Sequence, residues 1–291
     1  MKMFRVAWIV VFLAAIWTAG AQAAPAKRKA PRRKARPAAV KKMAAPRPAP
    51  APVQNGIIGG SNVYGRTGLL FTETAQTIQP GHASATGNLL YWKKDQVKIY
   101  TMPEIGANYG VAPNMEVGGS IEYLSLHAPG GFSASGLGYF SVSGKYVFEA
   151  KEANMPDFAA LAEISHGPMA KKLGDSGNDF TLKGLVTRPL PNKLLLNGGA
   201  GLLFVGSRDN IDGETVFQVE AGAGYPFTPE LTGIAELAVN RFGKNDGVFS
   251  VGVRGTTSMP ALRWQALLGF GVGSYAADYT IGGGVRYSFG S

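Results

Sequence analysis

The sequence predicts an all-β protein: a twelve-stranded antiparallel transmembrane β-barrel carrying a disordered basic N-terminal arm. Three observations carry this. Hydrophobicity alternates with a period of two over long segments. The segments reach about 11 residues or more, the length a tilted strand needs to cross a hydrocarbon layer. They are joined by short turns rich in Pro, Asn and Asp. In lipid every backbone polar group must be paired within the sheet, so such strands have to close on themselves.

Taken in order, Met1 to Ala23 reads as a secretory signal. Lys2 and Arg5 precede an apolar core from Ala7 to Trp17, and Ala21-Gln22-Ala23 supplies the small residues of a cleavage site. Residues 24–55 form a different composition, almost wholly Ala, Pro, Lys and Arg with no acid and no aromatic. Charge repulsion and seven prolines make this stretch a disordered, extended linker. At about 3.1 Å per residue it can reach roughly 100 Å. Residues 56–81 are a bridging segment with Gly-rich and Thr-rich stretches and no assigned elements, and 82–291 hold the barrel.

The net charge of +10 belongs to the arm. The first 55 residues carry 12 Lys and Arg and no acid, whereas the rest carries 17 bases against 19 acids. An exported chain with a near-neutral folded part argues against a nucleic-acid partner. The arm is expected either to meet an anionic envelope polymer such as peptidoglycan, or to be a solvated spacer. With no cysteine there is no disulfide framework, thiolate metal site or Cys nucleophile.

The hairpin from Val97 to Tyr123 sets the pattern for the barrel. Val97, Ile99, Thr101, Pro103, Ile105, Ala107 and Tyr109 share one register; after Pro113-Asn114 the alternation resumes with Met115, Val117, Gly119, Ile121 and Tyr123. Twelve such strands follow from Ala83, an even number that returns the chain to its starting side. Turns near 112–114, 154–157, 189–192, 227–230 and 258–260 are expected at the periplasmic end, and longer loops at the outer end. Both termini are then periplasmic, in an outer-membrane protein embedded in outer-membrane lipid. Tyr109, Tyr225, Phe227, Tyr287 and Phe289 at one level, and Tyr91, Tyr123, Phe204 and Tyr279 at the other, fit interfacial aromatic girdles.

The inward register is charged. Lys98, Glu104, Glu116, Glu122, Lys145, Glu149, Glu163, Lys183, Glu220, Glu236, Arg254, Arg263 and Arg286 are the expected lumen-lining residues. The three arginines fall on the last three strands, and acids dominate strands two to five and eight to nine. A basic wall facing acidic walls would set a transverse field across a pore; in a plugged barrel the same charges would pair with one another. Inward glycines, among them Gly222 and Gly252, take side chains out of the bore.

Catalysis has little to stand on. The histidines are His82, His127 and His166, and Ser165 and His166 are strand neighbours that point to opposite faces. No ligand spacing for a metal and no phosphate-cradling loop is visible, so neither cofactor nor metal is expected. Three functions are carried forward: a passive channel for small solutes, a structural barrel tethered through its arm, and a lipid-acting enzyme.

Two resemblances bear on these. Tyr287-Ser-Phe289 resembles the ending that outer-membrane barrels present to their assembly machinery, although Gly290 and Ser291 follow it here. Thr72-Glu-Thr-Ala-Gln-Thr-Ile-Gln-Pro-Gly81, then a strand, then Tyr109-Gly-Val-Ala-Pro-Asn-Met-Glu-Val117, resembles the start of the outer-membrane transporters labelled for the MetA pathway of phenol degradation. Over roughly residues 72–291 that resemblance implies a twelve-strand barrel passing small solutes.

Overall fold

Residues 60–61, 67–148, 155–207, 212–241, 246–274 and 276–290 are described by a computed structural model of the chain. The signal, the linker and Glu149 lie outside them. A two-stranded sheet pairs β1 (Gly60–Ser61) with β2 (Thr67–Gly68). Twelve strands then close a barrel: β3 (Ala83–Lys94), β4 (Val97–Ala112), β5 (Met115–Ala128), β6 (Phe132–Phe148), β7 (Asp157–Gly167), β8 (Gly177–Pro189), β9 (Leu195–Val205), β10 (Glu214–Pro226), β11 (Leu231–Arg241), β12 (Asp246–Thr256), β13 (Leu262–Gly271) and β14 (Tyr279–Phe289). Each pairs antiparallel with its sequence neighbours, and β14 closes on β3 from Tyr279 opposite Lys93 to Phe289 opposite Ala83. Closure leaves no barrel edge unpaired, which is the condition for crossing lipid.

The wall is inside out relative to a soluble protein. Ile105, Val142, Phe158, Ile164, Phe217, Phe249, Leu268 and Ile281 are exposed on its outer surface, while Ser84, Asn88, Asn108, Ser143, Asn197, Thr232, Ser250 and Thr280 are buried within. An apolar exterior around a polar interior is the signature of a transmembrane barrel. The predicted aromatics include ring pairs Tyr225 with Phe227 and Tyr287 with Phe289 at the end that holds the short Ala112–Met115 turn, here the near end. At the far end Tyr91 contacts Tyr100 and Tyr279.

The strict alternation breaks in β3 to β6. Register shifts fall between Asn88 and Leu90, between Thr101 and Glu104, and between Ile121 and Tyr123. Pro103 has no N–H for the ladder, and a bulge is where a strand tolerates that. The irregularity exchanges the faces of β4: Thr101 and Glu104 are both buried, and Met102 and Pro103 between them are exposed. The expected single register from Val97 to Tyr109 is therefore two registers joined at the bulge.

Loop lengths separate the two ends less than expected. Pro129–Gly131 at the far end is a three-residue 3-10 turn, because β5 and β6 run further than the loop signals suggested.

A bore filled by the segment before the first barrel strand

The bridging segment is inside the barrel. Leu69, Leu70, Phe71, Thr72, Glu73, Thr74, Ala75 and Ile78 are all at most 3% exposed. The Leu69 N–H donates to the Thr72 carbonyl at 2.9 Å, so the segment turns at its deepest point. It leaves at the near end, where Gly81 N–H donates to Gly110 O and Gly110 N–H to His82 O.

An extended chain without strand partners has unpaired N–H and C=O groups, and burying them is costly. The barrel's inner side chains take the place of a sheet neighbour. Glu236 accepts from the N–H of Leu70 (3.2 Å), Phe71 (2.5 Å) and Thr72 (3.3 Å), and from Thr72 Oγ1 (2.9 Å). Glu220 accepts from Glu73 N–H at 3.0 Å, Thr187 from Ala75 N–H at 2.7 Å and Glu116 from Ile78 N–H at 2.9 Å. The carbonyls are served too: Asn197 Nδ2 donates to Glu73 O at 2.5 Å, Lys145 Nζ to Thr74 O at 3.2 Å, and Arg254 to Gly68 O and Leu69 O. Hydrogen bonds to ionised groups are the stronger kind.

Apolar contacts complete the seat. Leu69, Leu70 and Phe71 cluster with Leu90, Leu195, Ile234, Ala238, Val248 and Leu267, and Phe71 meets the Trp92 ring at 5.6 Å. Glycine makes the room. A Cβ on Gly222 would lie 2.7 Å from Leu69 Cδ1, and one on Gly252 would lie 2.8 Å from Leu70 Cδ1. The inward glycines thus clear space that the chain itself occupies.

The predicted lining residues separate into groups. Glu104, Glu116, Lys145, Glu163, Glu220, Glu236, Arg254 and Arg286 are buried on the inner wall. Lys183, its side chain 12% exposed, joins Glu73 of the segment at 2.9 Å and Glu220 at 3.0 Å. Lys145 lies 3.6 Å from Glu116. Glu122 is half-buried and accepts from Tyr139 N–H at 3.2 Å. Arg263 borders a small pocket with Arg254 and Arg286. Lys98 departs from the expectation: it is exposed, three residues before buried Thr101 and so on the opposite face. The bulge is the physical reason.

Sequence reasoning missed Glu73, Thr187 and Asn197. Glu73 is an acid in an unperiodic stretch, and Thr187 and Asn197 are uncharged; Thr187 Oγ1 donates to Asn197 Oδ1 at 2.8 Å. The available signal was the triplet Leu69-Leu70-Phe71, apolar and too short to be a strand of the wall.

The histidines are placed apart from the bore. His127 lies between Ser125 Oγ (3.3 Å) and Ser133 Oγ (3.2 Å), and His166 Nδ1 lies 2.8 Å from Asn178 Oδ1, all five side chains outside the core. Among the described residues no group of three metal-ligating side chains converges.

Fold and bore together define a twelve-strand transmembrane β-barrel with an internal segment. No family model matches the chain, and no curated protein does. Among solved structures it is similar to the COG4313 outer membrane channel from Pseudomonas putida F1, at 11% identity and a TM-score of 0.58, over 76% of this chain and all of that one. The β domain of the Bordetella autotransporter BrkA (17% identity, TM-score 0.47, 71% of this chain and 98% of that one) and the KdgM porin (10%, 0.46, 72% and 99%) also match. The fold is thus shared with an outer-membrane channel.

Proposed function

We propose that the protein is an outer-membrane channel for small solutes, closed in the state seen by its own residues 68–78. One observation carries this reading: the bore is filled by a separate length of chain held through polar side chains. Twelve strands enclose more space than wall side chains fill, unlike an eight-strand barrel. The carboxylates, amides and lysines that bind the segment can be solvated by water if it withdraws, which offsets part of the cost of exposing the apolar cluster around Leu69, Leu70 and Phe71. We assign the near end, where Phe289 pairs with Ala83 and the internal segment joins the wall at Gly81 and His82, to the periplasm.

The test is planar-bilayer conductance of the full mature chain beside a variant lacking residues 56–79. The reading expects low or intermittent conductance from the first and steady ion flow from the second. A correctly inserted deletion variant that carries no current at any voltage rejects it.

The filled bore also favours a second reading, a structural barrel tethered by its arm to peptidoglycan or another anionic polymer. Deleting residues 24–55 should then abolish co-sedimentation with cell-wall material. Unaltered co-sedimentation removes this reading.

A further inference from the structure

The far rim of the wall carries a row of outward side chains that five strands bring together. Tyr279 of β14 is the Cα partner of Lys93 of β3, and Lys93 that of Lys98 of β4. Lys98 is in turn opposite His127 of β5, and His127 opposite Ser133 of β6. Directly paired residues project to the same face of a sheet. That face is the outer one, because Ile281, two residues after Tyr279, is exposed to the lipid side, and Lys98, His127 and Ser133 are exposed as well. The row lies just beyond the apolar belt, whose outward positions on β3 are Leu89 and, opposite Ile281, Tyr91.

Charge sets this sector apart. The row holds two lysines and no acid, whereas the outward positions nearest the far rim on β7, β8, β10 and β13 are His166, Asn178, Thr215 and Phe270. Lys93 and Lys98 face each other across a ladder, where Cβ atoms are about 4.5–5.5 Å apart and like charges destabilise the pair. Lys93 Nζ lies 5.7 Å from the centre of the Tyr279 ring. Lys94, the next residue, donates instead to the Ser274 and Ala276 carbonyls. The acids closest along the chain, Asp95 and Asp278, lie beyond the row, and Asp278 Oδ2 accepts from the Asp95 N–H at 2.7 Å. Beneath the lysines the rings of Tyr91, Tyr100 and Tyr279 touch one another, with His127 at 5.7 Å from Tyr100. Aromatic rings of this kind sit at the level of lipid headgroups, and lysine stems lie along apolar surface while their ammonium groups reach the polar layer. An anion placed between the two ammonium groups removes their repulsion. An anion that also carries acyl chains has the apolar belt below to receive them.

We propose that Lys93 and Lys98, flanked by Tyr279 and His127, bind the phosphate headgroup of a lipid in the outer leaflet of the membrane. The choice of leaflet rests on the assignment of the near end to the periplasm. The site itself is on the outside of the wall and is independent of whether the bore conducts.

Native mass spectrometry of the folded mature chain tests this, with phosphatidic acid, phosphatidylcholine of the same acyl chains and inorganic phosphate offered separately. Phosphatidic acid should be retained at least tenfold more strongly than phosphatidylcholine, whose quaternary ammonium offsets its phosphate. Lys93→Gln with Lys98→Gln should reduce its retention to the phosphatidylcholine level, and Lys93→Arg with Lys98→Arg should preserve it because both charges stay. Arg188→Gln, one residue from the near end of β8, should leave it unchanged. Heat-modifiable electrophoretic mobility establishes that each variant is folded; should the double glutamine variant fail to fold, Lys98→Gln alone carries the comparison, with a smaller loss. Equal retention of the two lipids, retention that survives loss of the lysines, or equal weakening by Arg188→Gln overturns the site. Inorganic phosphate bound as tightly as phosphatidic acid overturns it as a lipid site. Gln96, exposed in the turn between β3 and β4, reports the leaflet, since the chain has no cysteine of its own. Gln96→Cys should react with a membrane-impermeant maleimide on intact cells. Reaction only after the cells are opened overturns the outer-leaflet assignment and the orientation beneath it, whereas loss of headgroup selectivity overturns the site alone.

Discussion

The Phe71 N–H donates to the carboxylate of Glu236, 165 positions later in the chain. The same carboxylate takes the N–H groups of Leu70 and Thr72, so one residue of the wall holds the deepest turn of the internal segment. Glu236→Ala removes all of these bonds at once and leaves three buried donors. Hydrogen bonds to a charged group contribute about 1.5–3 kcal/mol each, less than additively when they share an acceptor. Hydrogen exchange of amides 70–72 should therefore accelerate by at least a hundredfold while the barrel amides stay protected. Unchanged protection would mean that the apolar cluster around Phe71 alone retains the segment.

The barrel was legible in the sequence because lipid on one side and polar groups on the other enforce a two-residue rhythm. Leu268 and its neighbour Leu267 illustrate the limit: both are leucine, yet one is exposed outside and the other is 5% exposed inside against Leu70. Lys98 shows a second limit, since a bulge inverts faces without altering composition. The internal segment was not legible because its partners are side chains on distant strands, and a chain paired in that way needs no periodicity. Thr187 and Asn197 serve it through hydroxyl and amide groups that a search for charge passes over.

Gly222 offers a test of the segment's seat by shape alone. The first atom of a side chain there would meet the end of Leu69 at 2.7 Å first, then Glu236 Cβ at 3.1 Å, with the nearest backbone atom, Ala235 O, at 3.5 Å. Gly222→Leu should displace Leu69 and raise conductance without hindering barrel assembly. Adding Leu69→Gly returns the space and should lower conductance again. A doubly substituted protein that behaves like Gly222→Leu would show that the two side chains do not compete.

Lys183 sits between two carboxylates, one on the segment and one on the wall. Lys183→Met removes the cation that lies between Glu73 and Glu220. Breaking a buried pair in this way costs about 3–5 kcal/mol, a burden that withdrawal of the segment relieves. The variant should be more conductive than native protein, and Glu220→Gln added to it should restore part of the closure. Equal conductance of Lys183→Met and native protein would place the segment's hold elsewhere.

The assignment of faces has its own test in the pair Leu267 and Leu268. Leu268 is on the outer surface, paired with Ile281 and Val251, both exposed. An arginine on the lipid face costs about 2–4 kcal/mol at the bilayer midplane and far less near the interfaces. Leu268→Arg should lower the free energy of unfolding in lipid vesicles by an amount in that range, measured by urea titration, with conductance unaltered in the fraction that inserts. Leu267→Ala should act in the opposite sense. It opens a cavity beside Leu70, loosens the internal segment and raises conductance, while insertion proceeds as in the native protein because no lipid contact is lost. If instead Leu268→Arg inserts as readily as native protein and Leu267→Ala does not, the faces are exchanged, and the wall that binds Leu70 would be the one that meets lipid.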